Sequence, residues 1–168
     1  DLHSFPTRRS SDLGNFYIVK RPLFSFGPIN RTRKAERDYV NYRRNKNIDC
    51  DFCNFNDSSD VLIKEYSLFW HVINKFGYAT WDGYCVREHS MIVPKRHVVS
   101  ISEFTPEESQ EYIALISKFE KEGNSIYSRS DKQVTKSIPH QHTHLIQLED
   151  KQVRSLIYNH LPHILTFR

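Results

Sequence analysis

Apolar and polar positions change their spacing along the chain, and the changes mark out the elements. Two short runs rich in β-branched and aromatic residues, Val61-Leu62-Ile63 through Tyr66 and Phe69-Trp70-His71-Val72-Ile73, predict strands over 61–66 and 69–74 around a tight Ser67-Leu68 link. Asp82-Gly83, between Trp81 and Tyr84, is a turn signal. A third strand over 90–93 is stopped by Pro94. The period then lengthens. Thr105-Pro106-Glu107-Glu108 supplies an N-cap, a proline for the first helical turn and a capping-box glutamate. Tyr112, Leu115, Ile116 and Phe119 follow at i, i+3, i+4 and i+7, and Gly123 is a stop signal. Period two returns over 125–129, and after a polar loop to Ser137 it predicts a last strand over 141–148. Upstream, Ala35, Tyr39 and Tyr42 are spaced by four and three, as on one face of a helix. Together these predict an α+β chain, with a mostly antiparallel sheet, one main helix and a basic N-terminal helix.

Length and composition fit one domain with its own core: 168 residues, 38% hydrophobic and 13% aromatic. No run approaches the ~18 apolar residues that span a bilayer, so no membrane partner is expected. Three cysteines without a secretory leader pattern lead to the expectation of a reducing, cytoplasmic setting, with thiols free to bind metal. Cys85 reads as a small buried residue and Met91 as core. Residues 1–13 look like the translation of a short-read sequencing adapter, and no Met precedes Met91. The expectation is a non-biological leader on a truncated N-terminus, then a basic extension over 14–47. The formal charge is +4, and the basic stretch from Arg31 to Lys46 is read as a solvated helix face. Attraction of polyphosphate is the functional alternative; no motif supports nucleic acid as a partner.

Chemistry concentrates in two places. His140-Gln141-His142-Thr143-His144 alternates strictly, and on a strand this puts three imidazoles on one face, Cβ atoms roughly 7 Å apart per two-residue step. Imidazole near neutral pH serves as nucleophile, acid, base or ligand. Cys50-Asp51-Phe52-Cys53 is a C-x-x-C, by itself either half a zinc site or a redox dithiol. No βαβ pattern surrounds it, which disfavours the redox reading. Two cysteines with two histidines complete a tetrahedral zinc site.

The combination resembles the histidine triad (HIT) superfamily of nucleotide hydrolases and nucleotidyl transferases. Its H-φ-H-φ-H-φ-φ is matched by His140, His142, His144, Leu145 and Ile146, with polar Gln141 and Thr143 between. Its preceding serine is matched by Ser137. Its H-φ-φ-φ-φ-P-K-x-H strand is matched by His89 through His97, and the C-x-F-C of its zinc-binding branch by Cys50, Phe52 and Cys53. The likeness covers about 48–149, taken as the HIT domain, with 150–168 a C-terminal extension of no evident chemistry.

The resemblance implies a HIT-like fold, often dimeric. It implies that His142 attacks the α-phosphorus of a nucleotide to give a nucleotidyl-imidazole, which water or another acceptor then opens. His144 would bind or protonate phosphate oxygens and the leaving group, and Ser137 would donate to the leaving group. Asn74 is a candidate ribose contact. Arg129 and Lys136, where the family often has glycine and glutamine, are candidate phosphate contacts. The implied ligands of a structural zinc are Cys50, Cys53, His89 and His140, with His97 buttressing a loop. Two other classes compete: a zinc-stabilised nucleotide-binding module without turnover, and a metallohydrolase whose three triad histidines hold a catalytic metal.

Overall fold

The computed structural model describes residues 30–45, 50–158 and 163–167. The expectations for 1–13, for 14–29 and for 46–49 lie outside them, as does His160.

The element order is α1 (Arg33–Arg44), β1 (Leu62–Glu65), β2 (Phe69–Ile73), β3 (Thr80–Trp81), β4 (Tyr84–Pro94), α2 (Pro106–Lys121), β5 (Ser125–Ser128), β6 (Thr143–Gln152), β7 (Arg154–Tyr158) and β8 (His163–Phe167). The main sheet runs β1-β2-β4-β6-β5, with β3 paired to β4, and the pairings are antiparallel. β7 and β8 form a separate hairpin in the C-terminal segment. The architecture is α+β. Among the described residues no helix is long and apolar enough to cross a membrane.

Strand alternation sorts the core into two layers. Phe69, Ile92 and Leu145 face α2 and pack with Tyr112, Leu115 and Phe119. Trp70, Val72, Met91 and Val93 point to the opposite face, with Cys50 and Phe52. The helix face is the one its apolar spacing predicts, and its capping box is formed as expected. Thr105 Oγ1 accepts from Glu108 N–H (3.2 Å) and Glu108 Oε2 accepts from Thr105 N–H (2.8 Å). Glu108 is also forked by Arg96 (3.0 and 2.7 Å), which holds its carboxyl below the usual range and ties the helix start to the exit of β4. Gly123 takes φ +88°, the left-handed conformation that ends a helix cheaply. Asp82 (φ 48°) and Gly83 (φ 81°) are both left-handed, which suits the two-residue turn between β3 and β4.

Two boundaries differ from the sequence reading. β4 begins at Tyr84 rather than Ser90, and its polar first half pairs with β6 through irregular register. β6 begins only at Thr143, so His140 and His142 precede the strand and only His144 lies within it. Those two residues enter from the loop before β6, tied down by Gln141 N–H to Val98 O (2.6 Å) and by His140 Nε2 to Pro94 O (2.9 Å). The basic helix α1 is not simply solvated. Tyr39 and Tyr42 each pack on Phe76 with ring centroids 5.2 Å apart, and Arg31 Nε donates to Phe76 O (2.9 Å). Its polar side carries an exposed Lys34–Asp38 pair (2.9 Å), of a kind worth at most about 1 kcal/mol.

Candidate active site and metal centre

The register of β4 against β6 decides which histidines meet. Ile92 pairs with Thr143, Met91 with His144, and His89 with Ile146. His89 therefore stands on the same face as His144, one two-residue step along. Past the paired strands, Gln141 N–H donates to Val98 O (2.6 Å), which brings His140 to within 4.7 Å of His97 between ring centroids. The structure accordingly separates the two histidines of β4 and its exit.

Cys50, Cys53, His97 and His140 form one cluster whose donor atoms all lie within 4.8 Å of one another. Cys50 Sγ is 3.3 Å and Cys53 Sγ 3.6 Å from His140 Nδ1, and Cys53 Sγ is 3.0 Å from His97 Nδ1. This corrects the expected ligand set. His97 takes the fourth place, and His89 sits instead against His144, because β4 carries His89 away from the cysteines. The loop role assigned to His97 gives way to this one. His140 Nε2–H donates to Pro94 O (2.9 Å), which leaves Nδ1 as the lone pair aimed at the sulfurs. Two sulfurs and two imidazoles within tetrahedral reach suit zinc. Partial desolvation, with Cys50 alongside, pushes the Cys53 thiol up to about 11, so a bound cation is what would draw its proton off.

The other two triad histidines line a cavity of about 380 Å³, within the range typical of small-molecule sites. It holds His142, His144, Ser137, Asn74 and Arg129 of the expected site residues. Lys136 is elsewhere. Its Nζ donates to Val99 O (2.6 Å) and Gln141 Oε1 (3.1 Å), so it straps the loop ahead of the triad. Both the polar atoms of Asn74 are engaged at the rim. Oδ1 accepts from Phe76 N–H (3.0 Å), and Nδ2 lies 3.2 Å from His89 Nε2. Met91, read as core alone, also presents an edge to the cavity. Sequence reasoning missed the aromatic wall supplied by Phe52, Tyr42 and Phe76. The four-and-three spacing of α1 carried a signal for part of it.

His142 is 6% exposed. Its Nδ1–H donates to the carbonyl of His140 (2.7 Å), so Nε2 carries the lone pair. Phe52 packs edge-on against its ring at 5.2 Å. Burial drives its pKa down to about 4, against the raising effect of the His140 carbonyl, so the ring is neutral at pH 7. His144, 4% exposed, is 5.1 Å from it between ring centroids. Burial, with His142, His89 and the Arg129 guanidinium close by, holds its pKa well below the ordinary value. The two polar residues within the triad are satisfied on the far side. Thr143 Oγ1 meets Tyr112 Oη (2.8 Å), and Gln141 Nε2 donates to Ser128 Oγ (2.6 Å).

No family model and no curated protein matches the chain. Solved structures do. A histidine triad nucleotide-binding protein from Candida albicans aligns at 12% identity over 68% of this chain and 85% of that one, with a TM-score of 0.47. A HIT family hydrolase from Legionella pneumophila Philadelphia 1 aligns at 16% over 62% and 96% (TM-score 0.45). A Zn-bound histidine triad family protein from Mycobacterium smegmatis aligns at 22% over 60% and 76% (TM-score 0.44). At these identities and scores the likeness assigns neither chemistry nor ligand to this chain.

Proposed function

We propose that this chain is a zinc-stabilised histidine triad enzyme that cleaves a nucleotide conjugate at its α-phosphate through a covalent nucleotidyl intermediate on His142. One observation carries the reading: the Nδ1–H of His142 is committed to the His140 carbonyl, which turns a neutral Nε2 lone pair toward a cavity shared with His144 and Ser137. A buried neutral imidazole with its second nitrogen anchored is the arrangement a nucleophile needs.

In the first step Nε2 of His142 bonds to phosphorus as the bond to the leaving group breaks. The leaving group departs as an anion that takes its proton from solvent, while His144 stays neutral and hydrogen-bonds a phosphoryl oxygen. The positive charge that grows on the His142 ring is met by the His140 carbonyl at Nδ1–H. In the second step a water oxygen bonds to phosphorus as the P–N bond breaks and one proton of the water passes to solvent, which releases a nucleoside monophosphate and restores the neutral His142 ring. Ser137 Oγ has no hydrogen-bond partner among the described residues and is available to the leaving group. The catalytic domain is taken as 48–149.

Cys50, Cys53, His97 and His140 would hold the zinc. When bound, it ties the N-terminal segment to the residue whose carbonyl orients His142, and four protein ligands leave it no open position.

The test is release of nucleoside monophosphate from adenosine and guanosine 5′-phosphoramidates and from dinucleoside polyphosphates, for the full chain and for His142→Ala. Release by the parent alone supports the reading. Tight nucleotide binding without release from any donor would overturn it in favour of a binding module.

A further inference from the structure

Arg129 sits where hydrogen-bond accounting fails to close. Tyr78 N–H donates to His89 Nδ1 at 2.8 Å. A backbone amide has no alternative role, so this nitrogen of His89 is an acceptor, and the neutral ring carries its hydrogen on Nε2. That nitrogen is 2.9 Å from His144 Nδ1, which therefore accepts. Asn74 Nδ2, at 3.2 Å from His89 Nε2, is a second donor that finds no acceptor on that nitrogen; the shorter Tyr78 amide contact, at 2.8 Å, fixes the tautomer. His144, accepting at Nδ1, carries its hydrogen on Nε2. Facing that N–H, at 3.2 Å, is Arg129 Nη1, which is only ever a donor. Two donors thus point at one another beside the cavity, with no acceptor between them.

The rest of the guanidinium is fixed. Nη2 donates to Tyr78 Oη (2.7 Å), Nε to Thr135 Oγ1 (3.2 Å), and the group lies 5.0 Å from the Tyr127 ring centre. These partners are neutral. Among the described residues no carboxylate pairs with Arg129, although it is half-buried and His144 is nine-tenths buried or more. A held cation and an N–H that line one cavity make a preformed anion site.

We infer that Arg129 and His144 together clamp the phosphoryl oxygens of the substrate, which makes Arg129 a catalytic residue and His89 the positioning residue that fixes the His144 tautomer. The inference rests on the nucleotide reading for its ligand, not for its geometry. The phosphoryl oxygen supplies the missing acceptor to both donors. The guanidinium, aimed before the substrate arrives, meets the charge that builds on those oxygens as His142 attacks. An acyl or neutral glycosyl substrate would leave this charge unmatched, so the clamp selects phosphate esters and anhydrides.

The experiment compares adenosine and guanosine, each with and without a 5′-phosphate, by calorimetric titration of the full chain. Arg129→Gln and Arg129→Lys are the variants, read beside parent release rates. The phosphate should contribute at least about tenfold in affinity to the parent. Arg129→Gln should remove most of that factor while leaving the bare nucleoside unchanged, and Arg129→Lys should fall between. Release rate should drop about 10²–10³-fold in Arg129→Gln. A loss shared equally by nucleoside and nucleotide, or no loss, overturns the clamp. If the parent releases nothing yet the phosphate-specific loss is seen, the clamp stands and the enzyme reading falls. ¹⁵N-histidine spectra of the parent need no variant: a bare Nδ1 and protonated Nε2 on His144 are expected, and the opposite tautomer overturns the inference.

Discussion

Two histidine clusters lie on one stretch of chain and are built in opposite ways. Around His140, sulfur and nitrogen donor atoms converge on one another within 4.8 Å, and the far nitrogen of the His140 ring is tied to Pro94 O. Around His142 and His144, the nitrogens turn outward to a cavity, one as a lone pair and one as an N–H beside Arg129. The first arrangement closes on a cation and has nothing left to offer a substrate. The second is incomplete until an anion arrives. Two residues of chain separate them, and His140 is the hinge: its side chain belongs to one cluster and its carbonyl orients the His142 ring of the other.

The comparison breaks most sharply at His142. His142→Ala should lower nucleoside monophosphate release by about 10⁴–10⁶-fold, as loss of a nucleophile does, while zinc content by atomic emission stays at the parent value. Next comes Cys50→Ala. It should lose stoichiometric zinc and about 5 °C or more of melting temperature, with the release rate at a permissive temperature changed far less than in His142→Ala. A Cys50→Ala chain with full zinc and unchanged melting would dissolve the distinction between the clusters. The assignment of ligands is sharpened by a pair: His97→Ala should lose zinc and His89→Ala should keep it.

The smallest effect is on stability in acid. Burial lowers the pKa of His71 to about 4 and of His89 to about 3, and that of His144 well below normal. Unfolding frees each to take a proton near 6.5. The unfolded chain therefore binds more protons between those limits. The stability these rings contribute is complete above about pH 6.5 and is lost as pH falls toward the folded values. Urea midpoints, measured with zinc saturating and again with chelator, should fall from about pH 7 to about pH 5 in both series. A fall only in the zinc-loaded series would assign the effect to metal release.

The helix was legible because its cap, apolar face and glycine stop are all local. Strands were legible where β-branched and aromatic residues ran together, as in β2. What sequence could not supply was register. His89 and His97 are both compatible with a zinc ligand by type and spacing, and only the pairing of Ile92 with Thr143 puts His97 at the cysteines and His89 at His144. The same ignorance of register hid Tyr78, whose backbone amide sets a tautomer. It also left Lys136, a loop strap, indistinguishable from Arg129, a cavity residue, since both are cations in one polar loop. The aromatic face of α1 was visible in its spacing, but its partner Phe76 lies beyond the reach of a local pattern.

The central claim is that His142 Nε2 takes the nucleotidyl group. Intact mass of the full chain, quenched at alkaline pH during turnover of a phosphoramidate donor, tests it directly because the P–N bond survives base. A mass increase of one nucleoside monophosphate in the parent, absent in His142→Ala and mapped to the triad peptide, is the predicted result. Release of nucleoside monophosphate with no adduct, or an adduct that persists in His142→Ala, would contradict it.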